Sequence, residues 1–311
     1  MVAIVIVNWN SGPLLGRCLA SIREHVQGCE VVVVDNASED SSPDFLPQPG
    51  LNLVLLRNDT NAGFAAASNR GWRAGRGDPV LFLNPDTECL PGGVETLARR
   101  LEAESGIWAA GGHLLDPSGA TQAGFNVRAF PSIGAVAAEL LLLDEVWQSN
   151  PWTRRYRMSD WDHDSPRDVD QPAAACLMVR RAVLESLGGF DEAFRPAWFE
   201  DVDLCKRIRD AGGRIIFEPH ARFLHHGGAS LRSLTREDFL RHYHTNQIRY
   251  FHKHHGRKAA MRVRRLVIAG LRLRALAAAT VAPLRSRTQA PSSASYWRLA
   301  RHFAAMREAC R

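Results

Sequence analysis

The 311-residue sequence lacks the features that mark membrane-spanning, secreted and disulfide-stabilised proteins. No uncharged apolar run reaches the ~18–20 residues that a membrane-spanning helix needs. The first residues contain neither a basic region nor a small-residue cleavage site, so we predict no secretion signal. The six cysteines include no C-x-x-C pair, which argues against a disulfide framework or a zinc ribbon. These absences together favour a protein of the reducing cytoplasm.

Two phosphate-binding motifs are absent as well. The residues after the first predicted strand are Asn8-Trp9-Asn10-Ser11-Gly12, without the G-x-G-x-x-G of dinucleotide-binding folds. A basic glycine-rich loop, usual in metal-dependent nucleotidyltransferases and phosphohydrolases, is also missing there. Disorder is excluded in turn, because 45% of the residues are hydrophobic and 23% are charged, close to the globular average.

The net charge of +6 is unevenly distributed along the chain. Residues 257–311 carry 13 Lys and Arg and one acid, a net +12, so that residues 1–256 carry −6. Such asymmetry favours an anionic partner for the tail, either a membrane surface or a nucleic acid. Nucleic-acid binding would want aromatic residues among the basic ones, whereas Tyr296, Trp297 and Phe303 lie beyond the densest basic part. The pattern therefore argues against a nucleic-acid partner.

The first 112 residues alternate apolar β-branched runs with helical repeats. Strands are predicted at Val2–Val7, Val31–Val34, Leu51–Leu56 and Val80–Leu83, and helices after Pro13 and over Phe64–Ala74. This alternation is typical of an α/β fold in which helices cover both faces of a mainly parallel sheet. Ligands of such sheets bind beyond the carboxyl ends of the strands. The polar residues that follow these strands are Asn8, Asp35, Asn36 and Asp86.

We divide the chain into three parts, residues 1–112, 113–234 and 235–311. The charged, tryptophan-rich stretch around 147–170 predicts a long excursion or lid. After it we predict strands at Ala173–Val179 and Arg214–Phe217, and helices at Arg180–Leu187 and from Trp198 to about Gly212. Thr235 and Asp238 resemble a capping box for a helix that runs to about His255.

Asp86 ends a buried strand in the run Asn84-Pro85-Asp86. A carboxylate there could ligate a divalent cation that bridges nucleotide phosphates, since Mg²⁺ is often held by one or two carboxylates. The alternative is an Asp that begins a turn after proline. Asp35 has the same two interpretations.

Two aspartates at the start of one predicted helix differ in their surroundings. Asp203 precedes Arg207 by four residues, which predicts a solvated intrahelical ion pair. Asp201 shares a stripe with Leu204 and Ile208, and we expect that stripe to pack inward or to line a cleft. A desolvated carboxylate has a raised pKa that suits a general base. Capping of the helix by Asp201 is the alternative.

The histidines are concentrated late in the chain. His225-His226 lies between an apolar stretch and two glycines, a position that suits an imidazole metal ligand. The histidines between 242 and 255 we interpret as solvated.

Taken together, these segments resemble the inverting glycosyltransferases of family 2 over about residues 2–230. The resemblance rests on the order and spacing of six blocks: Val5-Ile6-Val7-Asn8-Trp9-Asn10, Val33-Val34-Asp35-Asn36-Ala37-Ser38, Asn61-Ala62-Gly63-Phe64-Ala65 with Asn69, Leu83-Asn84-Pro85-Asp86, Trp198-Phe199-Glu200-Asp201-Val202-Asp203-Leu204, and His225-His226-Gly227-Gly228-Ala229-Ser230. It implies the GT-A fold, a Rossmann-like mainly parallel sheet flanked by helices, here followed by a helical basic tail.

The resemblance also implies roles for individual residues. Residues 1–112 would form the half that binds a nucleotide sugar, and 113–234 the acceptor-binding and catalytic half. Asp201 would be the catalytic base, and Trp198 and Glu200 would shape the acceptor site. Asp86 and His225 would bind Mg²⁺ or Mn²⁺, with His226 as the other candidate histidine; Asn84 replaces the first acid of the family's D-x-D motif. The donor-binding residues would be Asn8, Asp35, Asn36, Asn61, Gly63, Phe64, Asn69 and Asn84.

The implied function is metal-dependent, inverting transfer of a sugar to a hydroxyl group. The Asn-Trp-Asn and Asn-Pro-Asp motifs look most like those of bacterial rhamnosyltransferases, which implies dTDP-L-rhamnose as donor, with a UDP-sugar as the main alternative. The acceptor would be a polyprenyl-linked glycan or a growing cell-surface polysaccharide. A metal-dependent nucleotidyltransferase and a non-catalytic nucleic-acid-binding protein are the alternatives from other classes.

The basic tail predicts an amphipathic helix. Its basic face contains Arg262, Arg265 and Arg272, and its apolar face contains Ala260, Val263, Val267 and Leu271. Such a helix can lie in an anionic membrane interface, which would place the protein on the cytoplasmic face of a membrane. The alternative is a helix that packs on the catalytic body or on a second protomer in a homo-oligomer.

Overall fold

The computed structural model describes residues 1–46, 49–227, 234–281 and 291–306. The chain forms two compact units: unit 1 comprises residues 1–130 and 157–233, and unit 2 comprises 131–156 and 234–311. In the described ranges, every strand belongs to unit 1, whereas unit 2 is helical. The three-part division of the chain into 1–112, 113–234 and 235–311 stays a prediction.

Eleven strands are present in the described residues of unit 1. They are β1 (Ala3–Asn8), β2 (Glu30–Asp35), β3 (Leu53–Arg57), β4 (Val80–Leu83), β5 (Thr87–Cys89), β6 (Ile107–Leu115), β7 (Val127–Arg128), β8 (Arg167–Asp168), β9 (Gln171–Pro172), β10 (Cys176–Val179) and β11 (Arg214–His225). The helices of the chain are α1 (Pro13–His25), α2 (Phe64–Ala74), α3 (Gly93–Ala103), α4 (Ile133–Leu140), α5 (Leu143–Val146), α6 (Pro151–Arg157), α7 (Arg181–Leu187), α8 (Glu200–Asp210), α9 (Arg236–Val281) and α10 (Ser293–Ala305), with a 3₁₀ turn at Ser42–Phe45.

The main sheet confirms the predicted α/β fold with a mainly parallel sheet. Its strand order is β3-β2-β1-β4-β10-β6-β11-β5, with β8 added beside β11. Strands β1 to β4 are mutually parallel, β6 and β11 run in the same direction, and β10, β5 and β8 oppose them. Asn8 and Asp35 lie side by side in the β1–β2 register. The carboxyl ends of these strands therefore meet at one edge, as expected of parallel neighbours.

Helices cover both faces of this sheet. Alternate residues of β1 enter different cores: Ile4 and Ile6 pack in one cluster with residues of α1 and α3. Ala3, Val5 and Val7 pack in the other with residues of α2, α7 and α8. This period of two arises because successive side chains of a strand point to opposite faces.

The structure adds α3 and β6, which our reading of the sequence did not predict. The Gly111-Gly112 pair inside β6 weakens a strand pattern, since glycine has no side chain to pack. Glycine is nevertheless needed at position 111, because a Cβ there would lie 2.3 Å from the Cβ of Pro172. Strand β11 is also longer than predicted and continues to His225.

In unit 2, the long helix α9 begins as predicted. The Thr235 hydroxyl accepts a hydrogen bond from the backbone N–H of Asp238 at 3.1 Å and donates one to the Asp238 carboxylate, which confirms Thr235 as the N-cap. Gly256, with φ 78° and ψ 172°, interrupts the helix next to the predicted end at His255, and the helix then resumes. His244 contradicts the interpretation of these histidines as solvated: it is buried and contacts Gln247, and burial lowers its pKa to about 4.

The apolar face predicted for the tail helix is buried inside unit 2. Ala260, Val263, Val267 and Leu271 are all inaccessible to solvent, and α9 packs against α4 and α10. These four side chains therefore pack within unit 2, and the alternative of packing on the catalytic body or on a second protomer stays a prediction. None of the helices in the described ranges carries an apolar stretch of membrane-spanning length.

Candidate active site

The predicted donor residues of β1 and β2 lie together at the edge of the sheet. The Asn8 side-chain amide nitrogen lies 2.9 Å from the Asp35 carboxylate and within hydrogen-bonding distance of the hydroxyls of Ser38 and Ser42, to which its two hydrogens can be donated. Asn8 and Asp35 are both buried. Among the described residues, the Asn8 side-chain oxygen finds no hydrogen-bond partner. A buried acceptor without a partner is costly, so this oxygen is well placed to bind a donor group of a ligand.

Asn36 connects this edge to the loop that precedes α2. Its amide oxygen accepts hydrogen bonds from the Asn58 side chain and the Ala62 backbone, and its amide nitrogen donates to Asn61 at 2.8 Å. Asn61 in turn accepts from the Gly63 backbone. Gly63 has φ +87°, and a Cβ there would lie 2.9 Å from the Pro196 carbonyl oxygen. Glycine is therefore required by both backbone conformation and space.

Phe64 and Asn69 tie α2 to the segment after α7. The backbone N–H of Phe64 donates to Pro196 at 2.7 Å, and its ring meets that of Phe190 edge-on. The buried Asn69 amide exchanges hydrogen bonds with the Phe190 backbone and also donates to Glu192. These contacts brace the fold around the loop. That Asn69 and Phe64 contact the donor stays a prediction.

The β4–β5 turn and the end of β11 bring Asp86 and His225 together. The distance from His225 Nε2 to Asp86 Oδ1 is 3.4 Å, and both side chains are almost fully buried. The neighbouring His226 turns to Glu88 instead, with Nε2 2.6 Å from the carboxylate. Of the two histidines that the sequence left open, His225 is thus the one that faces Asp86. Gly228, Ala229 and Ser230 of the same block lie outside the described residues.

Gln122 fixes the ring of His225, and our reading of the sequence missed it. The Gln122 amide nitrogen donates to the His225 carbonyl oxygen at 2.7 Å, so its amide oxygen is the atom 2.8 Å from His225 Nδ1. Because that oxygen can only accept, Nδ1 carries a hydrogen, which leaves Nε2 as the ring nitrogen that faces Asp86 and could bind a metal. Phe125 stacks on the ring at 5.1 Å. Both residues lie far from His225 in sequence, in a loop without a motif that would reveal them.

The Asp86–His225 pair fits a divalent cation. A carboxylate oxygen and an imidazole nitrogen lie 3.4 Å apart, and both are ligand types that divalent cations accept. No group of three or more His, Cys, Asp or Glu side chains converges on a metal position in the part of the chain that the structure describes. The remaining ligands would therefore come from substrate phosphates and water, as is usual for Mg²⁺.

Asp201 lies in the first turn of α8 and reaches the same edge of the sheet. Its carboxylate accepts hydrogen bonds from the backbone N–H of Val202 at 2.8 Å and of Ala174 at 3.3 Å. Ala175, the next residue, accepts from the backbone N–H of Asn84 at 3.1 Å. Residues 174–175 thus connect the predicted base to the turn that carries Asp86. Burial raises the pKa of Asp201, and its two backbone hydrogen bonds and the charge of Arg128 oppose that shift.

Asp203 forms the predicted ion pair, but the prediction that it is solvated is wrong. Its carboxylate is fully buried and lies 2.8 Å from Arg207 Nε. Arg207 also donates to the carbonyl oxygens of Leu187 and Gly189, so the ion pair anchors α8 to the end of α7. Helical spacing predicts this pairing but cannot show what else covers it.

Glu200 and Trp198 flank the predicted base. Glu200 is buried, burial and the nearby Asp201 charge raise its pKa well above its ordinary value, and one carboxylate oxygen has no partner among the described residues. Trp198 and Phe199 have φ values of 75° and 73°, a left-handed conformation that costs a non-glycine residue about 1 kcal/mol or more. Strained backbone of this kind is frequent beside active sites. Asn84 is half-buried at the end of β4, beside Asp86.

Comparison with known proteins identifies close relatives of this arrangement. The family described as Glycosyl transferase family 2 matches residues 3–185. The N-acetylglucosaminyl-diphospho-decaprenol L-rhamnosyltransferase of Mycobacterium tuberculosis is 32% identical over 267 residues, which cover 81% of this chain and 85% of that protein. The O-antigen biosynthesis protein RfbC of Myxococcus xanthus is 31% identical over 66% of this chain and 15% of its own length.

Solved structures agree on the fold. The mannosyltransferase PcManGT of Pyrobaculum calidifontis, in complex with GDP-Man and Mn²⁺, has a TM-score of 0.55 at 18% identity, with 99% of this chain and 81% of that chain covered. GalNAc-T7 with UDP, GalNAc and Mn²⁺ has a TM-score of 0.57 at 17% identity, with coverages of 73% and 43%. These likenesses confirm the predicted GT-A fold.

Proposed function

Since the chain belongs to glycosyltransferase family 2, we propose that it transfers L-rhamnose from dTDP-L-rhamnose to a hydroxyl of a lipid-linked or cell-surface glycan, with metal dependence and with inversion. The observation that supports the proposal most is the convergence of three groups at one sheet edge. These are the Asn8–Asp35 pair, the Asp86–His225 pair and Asp201. The nucleotidyltransferase and nucleic-acid-binding alternatives lose their support, because the family is one of glycosyltransferases.

The donor site would bind its nucleoside at the ends of β1 and β2. The unpartnered side-chain oxygen of Asn8 can accept a hydrogen bond from a base or ribose, and the Asn36–Asn61 contacts hold the 58–63 loop beside it. Asn84 and Gly63 would complete the predicted donor set. The relative from M. tuberculosis, named for L-rhamnose transfer, supports rhamnose over the UDP-sugar alternative.

Asp86 and His225 would hold Mg²⁺ or Mn²⁺ against the donor diphosphate. When bound, the cation supplies positive charge that offsets the negative charge developing on the leaving nucleoside diphosphate. The two hydrogen bonds of Gln122 hold the His225 ring with Nε2 directed at Asp86, so the pair is oriented for a metal before one binds.

Asp201 would act as general base. Its carboxylate takes the proton of the acceptor hydroxyl while that oxygen attacks the anomeric carbon and the bond to the diphosphate breaks. A single displacement inverts the anomeric configuration. Burial, which raises the pKa of Asp201, makes it a stronger base than an exposed aspartate. Trp198 and Glu200, next to it in the chain, would shape the acceptor site.

The proposal is tested with the purified full-length chain, Mn²⁺ or Mg²⁺, and a panel of sugar nucleotides. We expect dTDP-L-rhamnose to raise the melting temperature only when a divalent cation is present, and to label a polyprenyl-diphosphate glycan with the inverted anomer, read by NMR. Stabilisation by UDP-sugars alone would overturn the rhamnosyl assignment. Stabilisation by dTDP-L-rhamnose in excess EDTA would overturn metal dependence.

A further inference from the structure

Unit 2 displays apolar side chains to an unusual degree. Of the ten large apolar side chains that are exposed in the described residues, eight belong to unit 2. Val146 is 88% exposed, Leu276 59% and Trp147 50%, and the others are Leu141, Leu143, Trp152, Leu273 and Trp297. Isolated exposed apolar residues need no explanation, but a concentrated set marks an interaction surface.

Contacts of α4 and α10 with residues 270–276 of α9 connect the segments that carry these side chains, and we call this region one end of unit 2. Arg274 donates hydrogen bonds to the carbonyl oxygens of Glu139 and Leu140, which fixes the end of α4 against this part of α9. The exposed residues Leu141, Leu143, Val146 and Trp147 follow directly in the chain, and Trp152 contacts Trp147 edge-on. Leu273 and Leu276 flank Arg274 in α9. Trp297 lines an open pocket with Arg272, so α10 contributes to the same end.

Unit 2 as a whole is positively charged, and Asp144 and Glu145 are the acids within its exposed stretch 141–147. Unit 2 contains 19 Lys and Arg against 6 Asp and Glu. Arg265, Arg272 and Leu276 occupy one exposed stripe of α9, about two and three turns apart. The pocket of about 550 Å³ beside them is lined by Arg272, Trp297, Arg298 and Arg301. Arg298 is paired with Glu237, whereas Arg272 and Arg301 are exposed. Guanidinium groups bind phosphate oxygens in a bidentate manner.

We propose that this end of unit 2, defined by Leu141, Leu143, Val146, Trp147, Trp152, Leu273, Leu276 and Trp297 with Arg272 and Arg301, docks onto a bilayer of anionic phospholipid. Tryptophan and leucine side chains enter the interfacial region of a membrane, and arginines bind its phosphate groups. Charge of this sign selects anionic lipid. The surface differs from the one predicted from sequence, because the buried side chains of Ala260, Val263, Val267 and Leu271 cannot enter lipid.

Docking deepens the proposed function, since it would hold the enzyme where lipid-linked acceptors lie, but lipid binding itself needs neither donor nor metal. The test is co-sedimentation of the full-length protein with vesicles of phosphatidylglycerol and phosphatidylcholine, and with vesicles of phosphatidylcholine alone. We expect binding to the anionic vesicles only, weakening as salt is added. Equal binding to both, or to neither, overturns the proposal.

Variants locate the surface. Val146→Glu places a charge on the most exposed apolar side chain, and Gln27→Glu adds the same charge at an exposed position of unit 1. Arg272→Gln with Arg301→Gln removes two charges, and Arg17→Gln with Arg99→Gln removes two exposed charges from unit 1. We expect the unit 2 changes to weaken vesicle binding about tenfold or more, and the unit 1 changes to leave it within about twofold. Equal effects of the two sets of changes on vesicle binding overturn the proposal.

Fluorescence quenching tests whether the surface enters lipid, and light scattering tests whether it instead contacts a second copy of the chain. Brominated lipid should quench tryptophan fluorescence of the wild type and quench Trp147→Phe less, while Trp108→Phe in unit 1 retains the full quenching; the opposite ranking overturns the proposal. Light scattering would reveal a dimer that Val146→Glu dissociates without vesicle binding in either form, and that result assigns the surface to a second copy of the chain. Metal-dependent stabilisation by dTDP-L-rhamnose, measured on the same variants, tests the proposed function separately.

Discussion

The two units of the chain differ in where they place charged and apolar side chains. Unit 1 places carboxylates inside: all six buried acids of the described residues, Glu30, Asp35, Asp86, Glu200, Asp203 and Glu218, belong to it. Unit 2 buries no acid in its described part, carries a net +13, and exposes leucine, valine and tryptophan. Burial of an unpaired carboxylate is costly, whereas exposure of a basic side chain costs little. The difference separates a unit suited to chemistry from one suited to a surface.

The largest effect expected within unit 1 follows from Asp201. Asp201→Asn removes the proton acceptor and keeps the shape of the side chain, so kcat should fall about 10³-fold while donor binding is retained. Asp210→Asn, at an exposed position of the same helix, is the matched control and should leave kcat unchanged. Transfer assays and donor-induced thermal shifts measure the two quantities.

The pH dependence of kcat/KM is a second test of Asp201 as the base. A base works in its ionised form, and burial raises the pKa of Asp201, so the acidic limb of kcat/KM should lie at higher pH than the ordinary aspartate value. A profile that is flat down to the range of an exposed aspartate, or wild-type turnover by Asp201→Asn, would show that Asp201 is not the base.

The next effect distinguishes neighbouring histidines. His225→Ala should weaken Mn²⁺ binding more than about 100-fold, because it removes a nitrogen that faces Asp86. His226→Ala should retain Mn²⁺ affinity within about threefold, since His226 contacts Glu88 instead. Electron paramagnetic resonance of free Mn²⁺ measures both affinities. Equal losses of Mn²⁺ affinity in the two variants would contradict the assignment of His225, rather than His226, as the metal ligand.

A smaller effect is expected from the residue that holds His225 in place. Gln122→Met keeps the side-chain length but removes both hydrogen bonds, and losses of about 10- to 100-fold in metal affinity are usual for such supporting contacts. Gln122→Glu, which retains an acceptor for Nδ1–H, should restore part of the affinity. Titration calorimetry with Mn²⁺ measures both. Wild-type affinity in Gln122→Met would show that the ring needs no support.

The smallest effect belongs to the exterior of unit 2. Arg262→Gln with Arg265→Gln alters two exposed side chains of α9, so the free energy of unfolding should change by less than about 0.5 kcal/mol. Transfer to a water-soluble acceptor analogue should also be unchanged. Chemical denaturation and a transfer assay check the two expectations. A large loss of transfer would place part of the chemistry in unit 2. A large change in the free energy of unfolding would show that these two arginines contribute to the stability of the fold.

Much of unit 1 could be predicted because its signals are local. β-branched runs predict strands, and parallel neighbours bring their carboxyl ends together, so Asn8 and Asp35 were expected at one edge. The helical stripe predicted a desolvated Asp201, and burial does raise its pKa. The Asp203–Arg207 pairing was visible in the spacing, but its burial was not, because the residues that cover it come from the end of α7.

Other features had no local signal. Gln122 lies in a loop without a motif, and it became recognisable only through two hydrogen bonds to a residue of β11. The Gly111-Gly112 pair argued against a strand, yet the close approach of Pro172 explains why glycine is needed there.

The sequence by itself determined the α/β alternation, the polar strand ends, the charge asymmetry and the resemblance to a glycosyltransferase family, because each is written in neighbouring residues or in ordered motifs. Only the tertiary structure decided that His225 rather than His226 faces Asp86, and that the apolar face of α9 is buried while Leu273 and Leu276 are exposed. Those outcomes depend on which distant segments pack against a given side chain, and packing partners are set by the whole fold.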